Sequence, residues 1–242
     1  MRQNSSVRAV VGDRFKEFLG NAGTVPVTDL LDALRSGDLT AGQSIVVGQG
    51  LSADQLRELR ERTGADVPLP VERGLTHKHE AKNVLIGPVQ PTGPGLYTAP
   101  LLLDQRVEVL EDHLTGQHIP AVTLLEAARQ TWTVVVEQFL LTSQGPTRFV
   151  IGSIRSAFHS FVFPLPATIE FRLAHQGDAS PIGSSVDCVL IIRQDNRIAA
   201  EFETVIRVIP EAVAVKQESM AARQAVRAAL SEAAVTASAV AR

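Results

Sequence analysis

The chain has 242 residues, of which 45% are hydrophobic and 20% charged, values that exclude wholesale disorder and allow one or two domains at about 100–200 residues each. Lys and Arg number 23 against 26 Asp and Glu, a net charge of −3, which argues against a strongly basic nucleic-acid binder and against attraction to anionic membranes. The one cysteine, Cys188, excludes an internal disulfide framework and fits a reducing, cytoplasmic setting, and no apolar run reaches the roughly 18 residues of a membrane span.

Residues 1–70 read as a small α/β segment. The opening stretch has one short apolar patch followed by charges, unlike a secretory signal. Val7 to Val11 is a strand candidate and Asp13 to Leu19 a short helix candidate. Thr28 to Leu34 looks helical, with Thr28 as N-cap. Ser44 to Gly48 is a short apolar run, and the Gly48-Gln49-Gly50 that ends it lacks the full glycine fingerprint of a dinucleotide loop. Ser52 to Arg62 is the clearest helix: Ser52 and Gln55 form a capping box, and Gly64 supplies the stop. Pro68 and Pro70 mark a linker.

Residues 75–210 have a different texture. Val84 to Val89 and the apolar stretch Pro100 to Leu110 are strand candidates. Pro120 to Leu141 is expected as one long helix, with Pro120 at its first position, where a missing N–H costs nothing. Phe149–Ile154, Ala167–Ala174, Ser185–Arg193 and Ile198–Ile209 follow as strands, the last two joined by a hairpin at Asp195-Asn196. One antiparallel sheet wrapped around one helix satisfies this order. Residues 211–242 are alanine-rich, with a helix expected over Gln217–Leu230 and a frayed end.

The long helix is apolar around most of its circumference, so it is expected to be buried. Glu126, Gln130, Thr133 and Glu137 nevertheless share one stripe, with Arg129 at its edge. That stripe reads either as a solvent face carrying a Glu126–Arg129 pair or as the wall of a cleft in which Glu126 is a carboxyl tuned upward by an apolar pocket. Just upstream, Asp112-His113-Leu114-Thr115-Gly116-Gln117-His118 places two histidines in a glycine turn. They read as turn histidines bonded to backbone, or as proton-transfer groups aimed at the helix.

Four stretches together carry a resemblance: His77-Lys78, Asn83-Val84-Leu85-Ile86, the Asp112–His118 turn, and Leu125-Glu126-Ala127-Ala128-Arg129-Gln130. They resemble the A-factor biosynthesis hotdog family over about residues 75–210, and Phe158 to Phe163 fits its later strand region. The resemblance implies an α+β hotdog fold and an acyl transfer from a carrier-protein thioester to a hydroxyl acceptor, dihydroxyacetone phosphate in the founding activity, on the way to γ-butyrolactone signals. His113, Gly116 and Glu126 also resemble the turn-and-helix pattern of hotdog 3-hydroxyacyl-thioester dehydratases, which makes His113 and Glu126 the implied acid–base pair. Asn83, Gly116, His118, Arg129 and Gln130 are the implied substrate-binding residues. Asn83 stands where the butyrolactone enzymes often carry a glutamate, so it is expected to hydrogen-bond rather than abstract a proton.

The resemblance implies a homodimer acting on an acyl-carrier-protein or CoA thioester. No cofactor or metal is expected: His77 and His79 are a metal-site lookalike only, and no cysteine cluster is present. Neither nucleic acid nor membrane is expected as a partner. Dehydratase or thioesterase chemistry, or a non-catalytic acyl-binding module, are the alternatives.

Overall fold

The computed structural model describes residues 7–38, 44–111, 115–141, 145–178, 180 and 183–240. The first unit is β1 (Arg8–Val11), β2 (Thr24–Pro26), α1 (Val27–Ser36), β3 (Ile45–Val47) and α2 (Ala53–Thr63). Its three strands are parallel, in the order β2-β1-β3. The Ser52–Gln55 capping box is present in full, and Gly64 ends α2 in the left-handed conformation at φ 67°. Three expectations fail. Pro26, not Thr28, stands at the N-cap of α1 and makes no side-chain cap; Thr28 lies inside the first turn, where its N–H and hydroxyl donate to Asp13 (3.3 and 2.9 Å). Asp13–Leu19 forms turns ending in one 3-10 turn, Phe18–Gly20, rather than a helix. The three-residue β2 was missed; it is too short to show a period.

The second unit has β4 (Gln90–Gly93), β5 (Leu96–Pro100), α3 (Glu108–Glu111), α4 (Ala121–Val135), β6 (Thr147–Phe158), β7 (Thr168–Gln176), β8 (Ser184–Gln194) and β9 (Arg197–Pro210). Its sheet runs β4-β5-β7-β8-β9-β6 with every pairing antiparallel, packed on α4: the α+β hotdog arrangement. Leu124, Ala127, Ala128 and Val135 of α4 share one core with Ile169, Phe171, Leu190 and Phe202. The β8–β9 hairpin turns at Asp195 (φ 51°) and Asn196 (φ 61°), the two left-handed residues of a type I′ turn.

The expected strand at Val84–Val89 is not one. Pro88 has no N–H to give a ladder, Gln130 captures the Leu85 N–H, and only an isolated Ile86–Leu101 bridge remains. Likewise Pro100–Leu110 leaves the sheet after β5, turning at Asp104, whose carboxylate accepts from the Arg106 N–H (2.9 Å). The long helix is unbroken at Arg129, but Pro120 is its N-cap, and its last turn, Val136–Leu140, is a π-helix. A final helix, α5 (Glu211–Val240), is longer than expected. Among the described residues, no helix is long and apolar enough to cross a membrane.

The two units meet at Gln49, which is 2% exposed. Its side chain donates to the Leu101 carbonyl (2.9 Å) and accepts from the Leu103 N–H (2.8 Å). The Gly50 N–H also donates to the Leu103 carbonyl (2.7 Å). A Cβ on Gly12 would stand 2.5 Å from the Gly50 carbonyl oxygen, so glycine there answers to close packing of two backbones.

Candidate functional site

The polar stripe of α4 is not a solvent face. Gln130 and Thr133 are fully buried, because residues 73–85 lie across them as a strap held by two 3-10 turns, Arg73–Thr76 and Ala81–Asn83. Gln130 Nε2 donates to the Asn83 carbonyl (2.7 Å) and to Glu126 (3.0 Å), while its Oε1 accepts from the Leu85 N–H (2.8 Å). Arg129 donates to the Thr76 carbonyl (2.9 Å) and grips Glu126 through Nε and Nη2 (2.8 and 2.9 Å). Lys78 Nζ stands 2.7 Å from Glu126. His77, at φ 56°, hydrogen-bonds Glu137 on the π turn (2.7 Å).

Glu126 is therefore the hub of a network, with its side chain 23% exposed. Burial pushes its carboxyl up, but Arg129, Lys78 and Gln130 outweigh burial and hold it below its ordinary value. The raised carboxyl expected in an apolar pocket is corrected: two cations and an amide neutralise the site. Beside Glu126 lies an open cavity of about 350 Å³ lined by Lys78, Asn83, Val107, Glu108, Val122 and Leu125. Asn83 faces it while its Oδ1 accepts from the Glu108 N–H (3.2 Å).

A larger open cavity, about 590 Å³, sits on the other side of the first turn of α4. Ile119, Ala121 and Leu124 form one wall, Phe158, Phe161 and Phe163 another, and His118, His159, Ser160, Gln194, Asp195 and Arg197 the polar rim. His118 stacks on Phe161 (centroids 4.7 Å apart), and its Nδ1 meets the Thr115 hydroxyl at 3.3 Å. His159 Nε2 is 2.9 Å from Glu201. Phe161 is 66% and Phe158 48% exposed, so the cavity opens at the end of β6 and the loop that follows it. Within the first turn, the Thr123 and Leu124 N–H groups already bond to the Pro120 carbonyl, and the helix end carries partial positive charge.

The structure thus separates the expected residues. It gathers Asn83, Glu126, Arg129 and Gln130 under the strap and sets His118 at the aromatic cavity. Gly116 (φ 78°) packs on Glu17, and its carbonyl accepts from the Phe18 N–H, making it a joint with the first unit. Gln130, with both ends of its amide engaged, clamps the strap. His113 lies outside the described residues. Sequence reasoning missed the His159–Glu201 pair and the aromatic wall. Their signal was the Phe158-His159-Ser160-Phe161 run, in which two polar residues stand between two phenylalanines at a strand end.

Residues 60–210 match the A-factor biosynthesis hotdog domain family. No curated protein matches the sequence at a comparable standard. Among solved structures, a mutant thioesterase from Pseudomonas aeruginosa is similar at 13% identity and TM-score 0.41, covering 66% of this chain and 95% of that one. A mutant thioesterase from Staphylococcus aureus is similar at 8% identity and TM-score 0.40, covering 51% and 93%. AziG from S. sahachiroi is similar at 11% identity and TM-score 0.39, covering 51% and 90%. Likenesses this distant say nothing of the chemistry of this chain.

Proposed function

Because the chain belongs to the A-factor biosynthesis hotdog family, whose wider superfamily acts on acyl thioesters, we propose that it transfers the acyl group of a carrier-protein or CoA thioester to a hydroxyl acceptor in signal or secondary-metabolite synthesis. The observation that carries this reading is the aromatic cavity at the start of α4. Its volume suits a small-molecule ligand, and its apolar walls suit an acyl chain. The thioester carbonyl oxygen lies against the N–H groups of Ala121 and Val122, where developing negative charge is stabilised by the helix end.

His159, oriented by Glu201, takes the proton of the acceptor hydroxyl as its oxygen attacks the carbonyl carbon. The carbon–sulfur bond then breaks, and the same imidazolium returns the proton to the leaving thiolate. With water as acceptor, the identical cycle is hydrolysis. His118, braced by Thr115 and Phe161, positions the acceptor. A homodimer is part of the proposal: β6, a 12-residue strand, pairs with β9 on one side and among the described residues has no strand on the other. It presents Ile151, Ile154 and Phe158, and edges of this kind are closed by pairing.

A second reading keeps His113 and Glu126 as the acid–base pair. It is favoured by the smaller cavity in which Glu126 and Asn83 both stand. Mass spectrometry of short- and medium-chain acyl-CoA and acyl-carrier thioesters, with and without dihydroxyacetone phosphate, tests the first reading. Acyl ester formed only with the acceptor supports it, and free acid in equal amount either way replaces it with thioesterase chemistry. Loss of turnover in Glu126→Gln and His113→Ala, with His159→Ala unaffected, moves the chemistry to the second cavity. Binding without any turnover makes the protein an acyl-binding module.

A further inference from the structure

Helix α5 leaves the body of the molecule soon after it starts. Glu211 and Glu218 meet Arg148 of β6 at 3.2 and 2.8 Å. From Val215 to Ala233 every residue is exposed, among them Val215, Val226 and Leu230. A helix is seldom stable on propensity alone and draws most of its stability from packing one face. Among the described residues, this one leaves its Val215–Ala233 stretch exposed, while Arg148 touches one flank near its start.

That face has a coiled-coil period. Val215, Ser219, Ala222, Val226, Ala229 and Ala233 recur at alternating intervals of four and three residues, the seam of a two-stranded coil. The residues beside the seam carry sign. Glu211 and Glu218 occupy one flank, Lys216 and Arg223 the other, and Ala225 and Leu230 continue the two flanks as an apolar couple. In a parallel, in-register pair each flank residue faces the one five positions later on the partner helix. Glu211 and Glu218, each already beside Arg148 of its own chain, then also face Lys216 and Arg223 of the second copy, and Ala225 meets Leu230. An antiparallel pair would set Glu against Glu and Lys or Arg against Arg.

We propose that α5 binds α5 of a second copy of this chain as a parallel, in-register coiled coil. The surface lies beyond residues 60–210, the part matched to the family, and stands apart from the chemistry proposed above. The small seam residues bring the two backbones close, and the charged flanks select orientation and register.

Single-cysteine placement in the full chain tests this. Burial, with a smaller push from Asp187, raises the native Cys188 thiol to about 12, so it does not compete. Ala222→Cys and Ala229→Cys are each expected to give a disulfide-linked dimer under mild copper-phenanthroline oxidation, while Gln224→Cys, on the opposite face, is not. Adding Arg223→Glu to Ala222→Cys is expected to lower the yield about fivefold, the scale of a few exposed charge pairs, and further adding Glu218→Arg to restore it. Cross-linking at neither or only one of the seam positions, equal cross-linking at 224, or indifference to the charge reversals overturns the proposal, whatever the outcome of the turnover assays.

Discussion

The two sides of the first half of α4 are built in opposite ways. Under the strap, the polar groups of Gln130, Arg129 and Glu126 have partners on backbone or on each other. Across the helix, the aromatic cavity keeps Phe158 and Phe161 exposed, and among the described residues each of its histidines has one side-chain hydrogen bond at the rim. Residue types alone favour the strap side as a site, since it holds the carboxylate, the guanidinium and the amide. We take its saturated hydrogen bonds as a fastening instead, since a buried polar network that is fully satisfied rigidifies the structure around it. In the proposed function, binding falls to the side whose surfaces are unmatched.

Turnover separates the two sides most sharply. His159→Ala is expected to lower acyl-thioester turnover by about 10²–10⁴, the usual cost of removing an acid–base group, with an unchanged denaturation midpoint. A loss of stability alongside the loss of rate would blur the contrast. Gln130→Ala is expected to do the reverse. It leaves the buried Leu85 N–H and Asn83 carbonyl without partners, at about 2–4 kcal/mol in urea unfolding, and a change under about 0.5 kcal/mol would mean that the strap is not fastened there.

A third, smaller effect concerns acid. The Glu126 carboxyl sits below its ordinary value of 4.5. Its contribution to stability is therefore complete above that value and is lost as pH falls through the lower folded value. Wild type should lose more stability between neutral and strongly acidic pH than Glu126→Gln, and identical pH slopes would remove the network's electrostatic role. The smallest effect belongs to neither side: Ser52→Ala should cost about 1 kcal/mol through loss of the α2 cap, measured by the same unfolding, with turnover intact.

The local features of the fold were legible. The capping box at Ser52, the type I′ turn at Asp195-Asn196 and the strands from β6 to β9 follow from signals within a few residues of one another. The short strands β2, β4 and β5 escaped for want of length, and the rest of what resisted reading depends on partners far away in the chain. Leu85 fails to join a ladder because Gln130, 45 residues on, takes its N–H, and the stripe at Glu126 is buried because Thr76 and Asn83 return to cover it. Periodicity reports that a helix face is polar; it does not report what lies on top. His118 was found through its turn, whereas His159 depends on Glu201, a cross-strand neighbour whose position only the β6–β9 register discloses.

Gln49 has a bearing on what can be cut away. The hotdog segment Leu101–Leu103 has its backbone bonds completed from the first unit, and Val11, Phe15 and Phe18 are part of the core around α4. A fragment restricted to residues 60–210 would begin after all of these. It would expose apolar side chains and strand two backbone groups that Gln49 satisfies, and it should collapse into aggregate where the full chain folds. The stretch that identifies the protein's ancestry is thus smaller than the stretch that folds, and the first unit acts here as part of the hotdog's interior.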